Sequence, residues 1–315
     1  MRGCTQCGEC LNVCPVFRQH WREEYAPKGK RLLLEPFAAG KGGKRAAGLD
    51  WDDVFTLARL CAGCGRCKQA CARKLSTADL LADVRAAHPH WTQHLWELWI
   101  NRMGPLWPTV GFLASLAPKG LTPAMLESSL ATARALVNRR EGSPWVRLRA
   151  EKAPGSAGPV VLFSGCTAKN VRPQWTETAE RLLRAAGHAV LDASRFTCCG
   201  GTLHHAGQYA AMGAMRRANL NAWKALGQPR IAAFCASCFH SLAEYADGFL
   251  QGEEAALWKK SLTPLSALLG DLPAETLAAK PGIYGYHQPC HWEKDEDMPF
   301  LARVIPGLHK GEGIC

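Results

Sequence analysis

Cysteines stand at residues 4, 7, 10 and 14, and again at 61, 64, 67 and 71. Both sets read C-x2-C-x2-C-x3-C, and Pro15 follows the first. Thiolates are soft ligands, and four at this spacing suit an iron–sulfur cluster of the bacterial ferredoxin type. In that pattern three cysteines of a run wrap one cluster and the fourth is carried to the other. Cys4, Cys7, Cys10 and Cys71 are therefore assigned to one [4Fe-4S] cluster, and Cys61, Cys64, Cys67 and Cys14 to a second. Ala72 stands where a proline would follow the second run, a change to the exit turn and not to the ligands. Zinc also takes C-x2-C pairs, but it gives no reason for two matching runs of four.

A third group has a different pattern. Thr197-Cys198-Cys199-Gly200-Gly201 places two thiols side by side. Neighbouring side chains can face one site only where the backbone turns sharply, and glycine permits such turns. Cys166 precedes the pair, and Cys235 and Cys238 follow it as a C-x-x-C. These five thiols can hold one metal cluster. The alternatives are a vicinal Cys198–Cys199 disulfide or a zinc site. His204, His205 and His240 lie close in sequence and read as hydrogen-bond donors to sulfur or as surface residues, not as ligands.

The elements that position these residues differ between the two halves. Residues 27–35 and 50–60 have helical apolar spacing, and the second segment begins with acidic residues. Helices, not strands, are thus expected to frame the first eight cysteines. Val160–Phe163, His188–Leu191 and Arg230–Phe234 read as short buried strands. They alternate with helices at 173–186, closed by Gly187, and at about 206–226. Alternation of this kind implies a parallel sheet, with sites beyond the carboxyl ends of its strands. Cys166 and Cys235 fall at two such ends. A second strand leads to Cys290 from about residue 282, with a helix at 298–305, and Cys315 stands where another Cys-Cys turn is due. Cys290 and Cys315 read as remnants of a fourth site in a repeat cut short.

Residues 88–117 concentrate Trp91, Trp96, Trp99 and Trp107. Glu97, Arg102, Pro105 and Pro108 interrupt the span, so it does not read as a membrane helix. Packing on the chain's own domains, a partner subunit and a membrane surface all fit. His90 and His94 are one helical turn apart but have no third ligand nearby. Residues 139–159 read as a linker.

The chain has 315 residues, 15 cysteines and a formal net charge of +11. Clustered cysteines behind an N-terminus without an apolar signal core favour metal sites in a reducing compartment over disulfides. This predicts a cytoplasmic protein, peripheral at most on the inner face of the membrane. A basic excess commonly indicates an acidic partner. Two cubanes of about −2 each bring the total to roughly +7, and no basic-aromatic motif points to nucleic acid. Lys28, Lys30, Arg31, Lys41, Lys44 and Arg45 read as a solvated surface, a docking patch or compensation for cluster charge. The chain has no glycine-rich dinucleotide fingerprint, so neither flavin nor NAD is expected in it.

The two ferredoxin runs, followed by the C-x31-C-C-G and C-x-x-C set, resemble the iron–sulfur subunits of glycolate oxidase and the heterodisulfide reductases. Ala26-Pro27-Lys28-Gly29-Lys30-Arg31 is similar to the Pro-Arg-Gly-Arg element of the glycolate oxidase type. The resemblance implies a helical dicluster ferredoxin domain at 1–86 and a first cysteine-rich repeat at 158–280. It also implies the start of an incomplete repeat at 281–315, with a Trp-rich bracket and linker at 87–157 between the domains. The fold class is therefore helical followed by α/β. The resemblance further implies a third iron–sulfur cluster on Cys166, Cys198, Cys199, Cys235 and Cys238, which in heterodisulfide reductases is a non-cubane assembly. The implied role is electron transfer between a flavoprotein that oxidises a 2-hydroxy acid, glycolate or lactate, and a quinone or other carrier. A membrane quinone-reactive subunit would be a further partner. The alternative role is cleavage of a disulfide at the third cluster.

Overall fold

The computed structural model describes residues 3–38, 48–117, 124–137, 146–149, 155–270, 272–277, 282–292 and 296–311. The first part is built from helices: α1 (Glu9–Asn12), α2 (Pro15–His20), α3 (Pro27–Ala38), α4 (Trp51–Arg59), α5 (Arg66–Ala70) and α6 (Thr77–Ala87). Helix α4 starts where Asp50 and Asp53 cap each other. The Asp53 amide donates to Asp50 Oδ1 at 2.9 Å, and the Asp50 amide to Asp53 Oδ2 at 3.3 Å. Leu34 and Phe37 of α3, Val54 and Leu57 of α4, and Leu80, Leu81 and Val84 of α6 form a small apolar core. Cys61 packs against that core, and the other cysteines of the two runs lie outside it, on loops and on the short helices α1 and α5.

Helices α7 (Trp91–Asn101), α8 (Met103–Leu116) and α9 (Ala124–Ala135) follow, then strand β1 (Val146–Leu148). The tryptophans divide. Trp107 is buried, with its ring centroid 5.7 Å from that of Trp99, whereas Trp91 and Trp96 are exposed.

The second part alternates as expected. Strand β2 (Pro159–Phe163) leads through α10 (Gly165–Asn170) and α11 (Pro173–Ala185) to β3 (Ala189–Leu191). Helices α12 (Gly201–His205) and α13 (Tyr209–Ala225) lead to β4 (Arg230–Ala233), and α14 (Ala236–Ala243) and α15 (Gly252–Ser261) lead to β5 (Leu262–Pro264). The sheet order is β3-β2-β4-β5 with every pair parallel. Strands β2 and β4 are buried over most of their length, which explains their uninterrupted apolar runs. The strand order reverses between β2 and β4, and binding sites in such sheets form at that point.

After α16 (Leu265–Leu268), strand β6 (Ala274–Thr276) turns back to pair antiparallel with β1, so part of the expected linker is a strand. Strand β7 (Tyr284–Tyr286), helix α17 (Met298–Val304) and β8 (Leu308–Lys310) close the described chain. Strands β7 and β8 are parallel neighbours, as β2 and β3 are. Cys290 follows β7 as Cys166 follows β2; Cys315 lies outside the described residues.

The two parts meet along α6. Arg85 donates to the carbonyls of His205 at 2.5 Å and Ala58 at 3.0 Å, and the Tyr209 hydroxyl donates to Asp83 at 2.6 Å. Gly207 lies so close that a Cβ there would sit 2.6 Å from the Ala86 amide nitrogen. Among the described residues no helix is long and apolar enough to cross a membrane.

Candidate metal centres

The two ferredoxin runs trace the same backbone path. Gln6 and Gly8 have φ of +58° and +88°, and their counterparts Gly63 and Gly65 have +63° and +71°. Each pair of left-handed residues bends the chain around its second cysteine and starts a short helix at the third. Helices α1 and α5 pack against each other. The runs therefore lie side by side, and Cys14, the fourth cysteine of the first, lies near the first three of the second. Cys14, Cys61, Cys64 and Cys67 line a single cavity, which is the set assigned to the second cluster. On the other side, Arg73 donates to the Gly3 carbonyl at 2.6 Å and draws the segment after Cys71 to that before Cys4.

Burial pushes the thiols of Cys10, Cys61 and Cys64 above their usual range. The Leu75 amide holds the Cys71 thiol below it. Metal loading at the first three must expel protons. The Phe17 amide donates to Cys14 Sγ at 3.5 Å, the kind of contact that raises a cluster's potential.

Lys30 overturns its reading as surface charge. It is buried, and its ammonium donates to the Leu60 carbonyl, immediately before Cys61. Desolvation lowers its pKa, and the thiols of Cys61, Cys14 and Cys67 oppose that shift. Arg31 donates to the Ser76 carbonyl at 2.9 Å. Consecutive cations thus clamp the backbone on both flanks of the second run. Lys28 pairs with Glu23 at 2.6 Å, and Lys41, Lys44 and Arg45 lie outside the described residues.

The third group is a row of sulfurs. Cys198 neighbours Cys166 and Cys199 at hydrogen-bonding range, and Cys238 neighbours Cys199 and Cys235. The row therefore runs 166, 198, 199, 238, 235. Cys166 follows β2 and Cys235 follows β4, the two strands at the reversal of the sheet. Gly200, at φ +84°, makes the expected turn after the pair. Gly165 is needed for close approach, because a Cβ there would lie 2.9 Å from Cys238 Sγ.

The pKa shifts alternate in direction along the row. Hydrogen bonds received from Cys198 and Cys238 hold the Cys166 and Cys199 thiols below the usual range, and Cys238 brings Cys235 down to about 6. The two donors are pushed up by the same bonds. The backbone behind the row is fixed by residues that carried no sequence signal. Buried Asn219 donates to the Cys198 carbonyl at 2.9 Å and to the Tyr245 hydroxyl at 3.1 Å, and Tyr245 donates to the Cys199 carbonyl at 3.0 Å.

An all-sulfur donor set fits iron–sulfur clusters or zinc. No described cysteine is disulfide-bonded. Among the described residues, no three His, Cys, Asp or Glu side chains are arranged as the ligand set of a single metal ion. The packed runs, with Cys14, Cys61, Cys64 and Cys67 on one cavity, fit the dicluster arrangement.

Two of the histidines near the ligands face carboxylates. His204 Nε2 lies 3.7 Å from Asp79, and His240 Nε2 lies 3.5 Å from Glu244. His291, unnoticed in the sequence, joins the two kinds of site. Its Nε2 lies 3.1 Å from the Gly63 carbonyl and its Nδ1 2.9 Å from Ser237 Oγ. Donation from Nε2 to the carbonyl leaves Nδ1 to accept from the serine. Gly63 sits between Cys61 and Cys64, and Ser237 between Cys235 and Cys238, so one ring bridges two ligand loops. It also stacks on His240 at 4.9 Å.

Comparison with known proteins gives the same division. Residues 1–75 match the 4Fe-4S dicluster domain, and residues 160–243 match the cysteine-rich domain known as CCG. The chain is 25% identical to the "Probable glycolate oxidase iron-sulfur subunit" of Bacillus subtilis, over 91% of this chain and 70% of that protein. It is 24% identical to one subunit of the dihydromethanophenazine:CoB–CoM heterodisulfide reductase of Methanosarcina acetivorans, over 97% of this chain and 73% of that one. One subunit of the fumarate reductase (CoM/CoB) of Methanothermobacter marburgensis is 24% identical, over 98% of this chain and 56% of that one. No solved structure matches the chain. The chain thus joins a dicluster domain, which implies two [4Fe-4S] clusters, to a CCG domain. It is a distant relative of both the glycolate oxidase and the heterodisulfide reductase proteins.

Proposed function

We propose that this iron–sulfur protein is the electron-transfer subunit of an oxidoreductase complex. It carries electrons between a flavoprotein that oxidises a 2-hydroxy acid such as glycolate or lactate and a quinone or other carrier. The observation that carries the reading is the His291 bridge, which fastens the loop of Cys61 and Cys64 to that of Cys235 and Cys238. A bridge of this kind serves a protein that must keep two redox sites in fixed contact.

Cys4, Cys7, Cys10 and Cys71 would hold one cluster, and Cys61, Cys64, Cys67 and Cys14 the other. Cys166, Cys198, Cys199, Cys235 and Cys238 would hold the third. One-electron carriage is what the clusters supply when bound. The chain's own groups set the conditions for it. Lys30 places positive charge beside the second set, which favours the reduced state. Arg31 and Arg85 hold the surrounding backbone, and Asn219 and Tyr245 keep the Cys198–Cys199 turn rigid.

Anaerobic iron analysis tests the reading. All three sites together call for about twelve iron atoms per chain, and the dicluster sites alone for about eight. Zinc in place of iron would defeat it. A second reading, reduction of a small disulfide at the five-thiol site, is favoured by the completeness of that row, which simple carriage does not require. Disulfide cleavage by the reduced chain alone would select it. Strict dependence on a flavoprotein and a hydroxy acid would select the first.

A further inference from the structure

A pocket of about 740 Å³ opens at one end of the sulfur row. It reaches Cys166 and Cys198 but none of Cys199, Cys235 and Cys238. It extends past those sulfurs to Glu97 on α7 and Ala218 on α13, so a cluster on the cysteines would leave much of it open. Its volume lies within the range of about 300–1,000 Å³ usual for small-molecule sites.

The lining restricts what can bind. Ile100, Met103, Phe163, Phe196, Met215 and Ala218 give the pocket apolar walls. Lys169 on α10 supplies one ammonium group and Glu97 one carboxylate. The opposite charges leave no excess to attract a polyanion or a polycation. They suit a neutral molecule that accepts a hydrogen bond and takes up protons when reduced. Lys169 is already aimed by its bond to the Phe196 carbonyl at 3.2 Å.

The pocket is also beside an unusual helix. Residues 103–117 contain no ionisable side chain. Met103, Gly104 and Pro105 of α8 face the pocket, and Trp107, Gly111 and Ala114 are buried. On its outer side Phe112, Leu113 and Leu116 are exposed by 58%, 59% and 65%. A helix apolar all round belongs in a core or in lipid. On α7, Trp91, Leu95 and Leu98 form an exposed stripe about a third of a turn from Glu97. A formal net charge of +11, still roughly +7 with two cubanes bound, complements an anionic lipid surface.

We propose that the pocket binds the ring of a quinone, which enters from an anionic bilayer surface on which α8 rests. The Lys169 ammonium donates to a quinone carbonyl, and Glu97 relays protons from water. One quinone takes two electrons and two protons to become the quinol. The electrons derive from the hydroxy acid, through the partner flavoprotein, and arrive at the wall formed by Cys166 and Cys198. Only this electron source rests on the function proposed above; the binding site does not.

The test uses the iron-loaded full chain, titrated by calorimetry with a water-soluble short-chain benzoquinone. Saturable binding is expected, weakened at least about tenfold by Ala218→Trp with iron content unchanged. Lys169→Met should weaken it severalfold and Lys169→Arg should restore it. Binding to vesicles containing phosphatidylglycerol should fall about tenfold in Leu113→Glu. Absence of saturable binding, or binding indifferent to Ala218→Trp, overturns the site. Preference for an organic disulfide over the quinone overturns the ligand, and vesicle binding indifferent to Leu113→Glu overturns the membrane entry. If the flavoprotein reduces the chain but no quinone binds, this inference fails alone. If quinone binds but the flavoprotein does not reduce the chain, the proposed electron source fails alone.

Discussion

The dicluster region and the sulfur row solve the same problem, gathering thiols, by opposite means. In the first, eight cysteines lie on loops and on helices of four and five residues, and only Cys61 of the eight packs against the apolar core. In the second, Cys166 and Cys235 follow buried parallel strands, Cys198 and Cys199 sit on a glycine turn and Cys238 on α14, and the five lie side by side. Short helices have little stability of their own, so the first arrangement depends on what the thiols bind. The second is held by the sheet, by Asn219 and by Tyr245.

Iron removal should give the largest contrast. On chelation, amides of residues 4–20 and 60–75 should lose hydrogen-exchange protection by about a hundredfold or more, while Val160–Phe163 changes less than about tenfold. Equal loss in both regions would break the distinction. Single cysteines come next. Cys14→Ala should remove the cluster shared with Cys61, Cys64 and Cys67 and spare the other. Cys199→Ala should lower iron from about twelve atoms to about eight. Electron paramagnetic resonance of the reduced proteins identifies which cluster is lost.

Asn219→Ala removes donors from two buried backbone and hydroxyl partners. It should cost about 3 kcal/mol in denaturant unfolding of the second region while leaving the dicluster signals intact. The smallest effect concerns His205, whose ring sits 3.6 Å from a Cβ position at Gly63. Burial lowers its pKa, helped by the neighbouring His204 and His291. The unfolded chain therefore binds the proton more readily than the folded one. The joint between the regions should be fully stable above the unfolded value of about 6.5 and lose stability as pH falls below it. His205→Gln should flatten that part of the melting-temperature profile between pH 7 and 5.

Much of the cysteine framework was legible because cluster ligands are fixed by short spacings. Strands β2 and β4 were legible because burial on both faces leaves continuous apolar runs. Helix α12 was missed: its sequence, Gly-Thr-Leu-His-His, has weak helical character, and a helix was expected only from about 206. Strand β1 was hidden in a stretch that reads as linker, since its partner β6 lies more than a hundred residues away. For the same reason the sequence does not choose among the readings of Lys30. Nothing local shows that the Leu60 carbonyl awaits its ammonium. Trp107 and Trp91 look alike in sequence, and only the packing of α7 and α8 separates the buried ring from the exposed one.

His291 lies 228 residues from the carbonyl it binds and 54 from the serine. It comes from the segment that follows both sites it fastens. During synthesis each site can therefore fold before the fastening exists. The β7–α17–β8 unit then works as a late latch, so that circuit continuity depends on a part of the chain that need hold no metal itself.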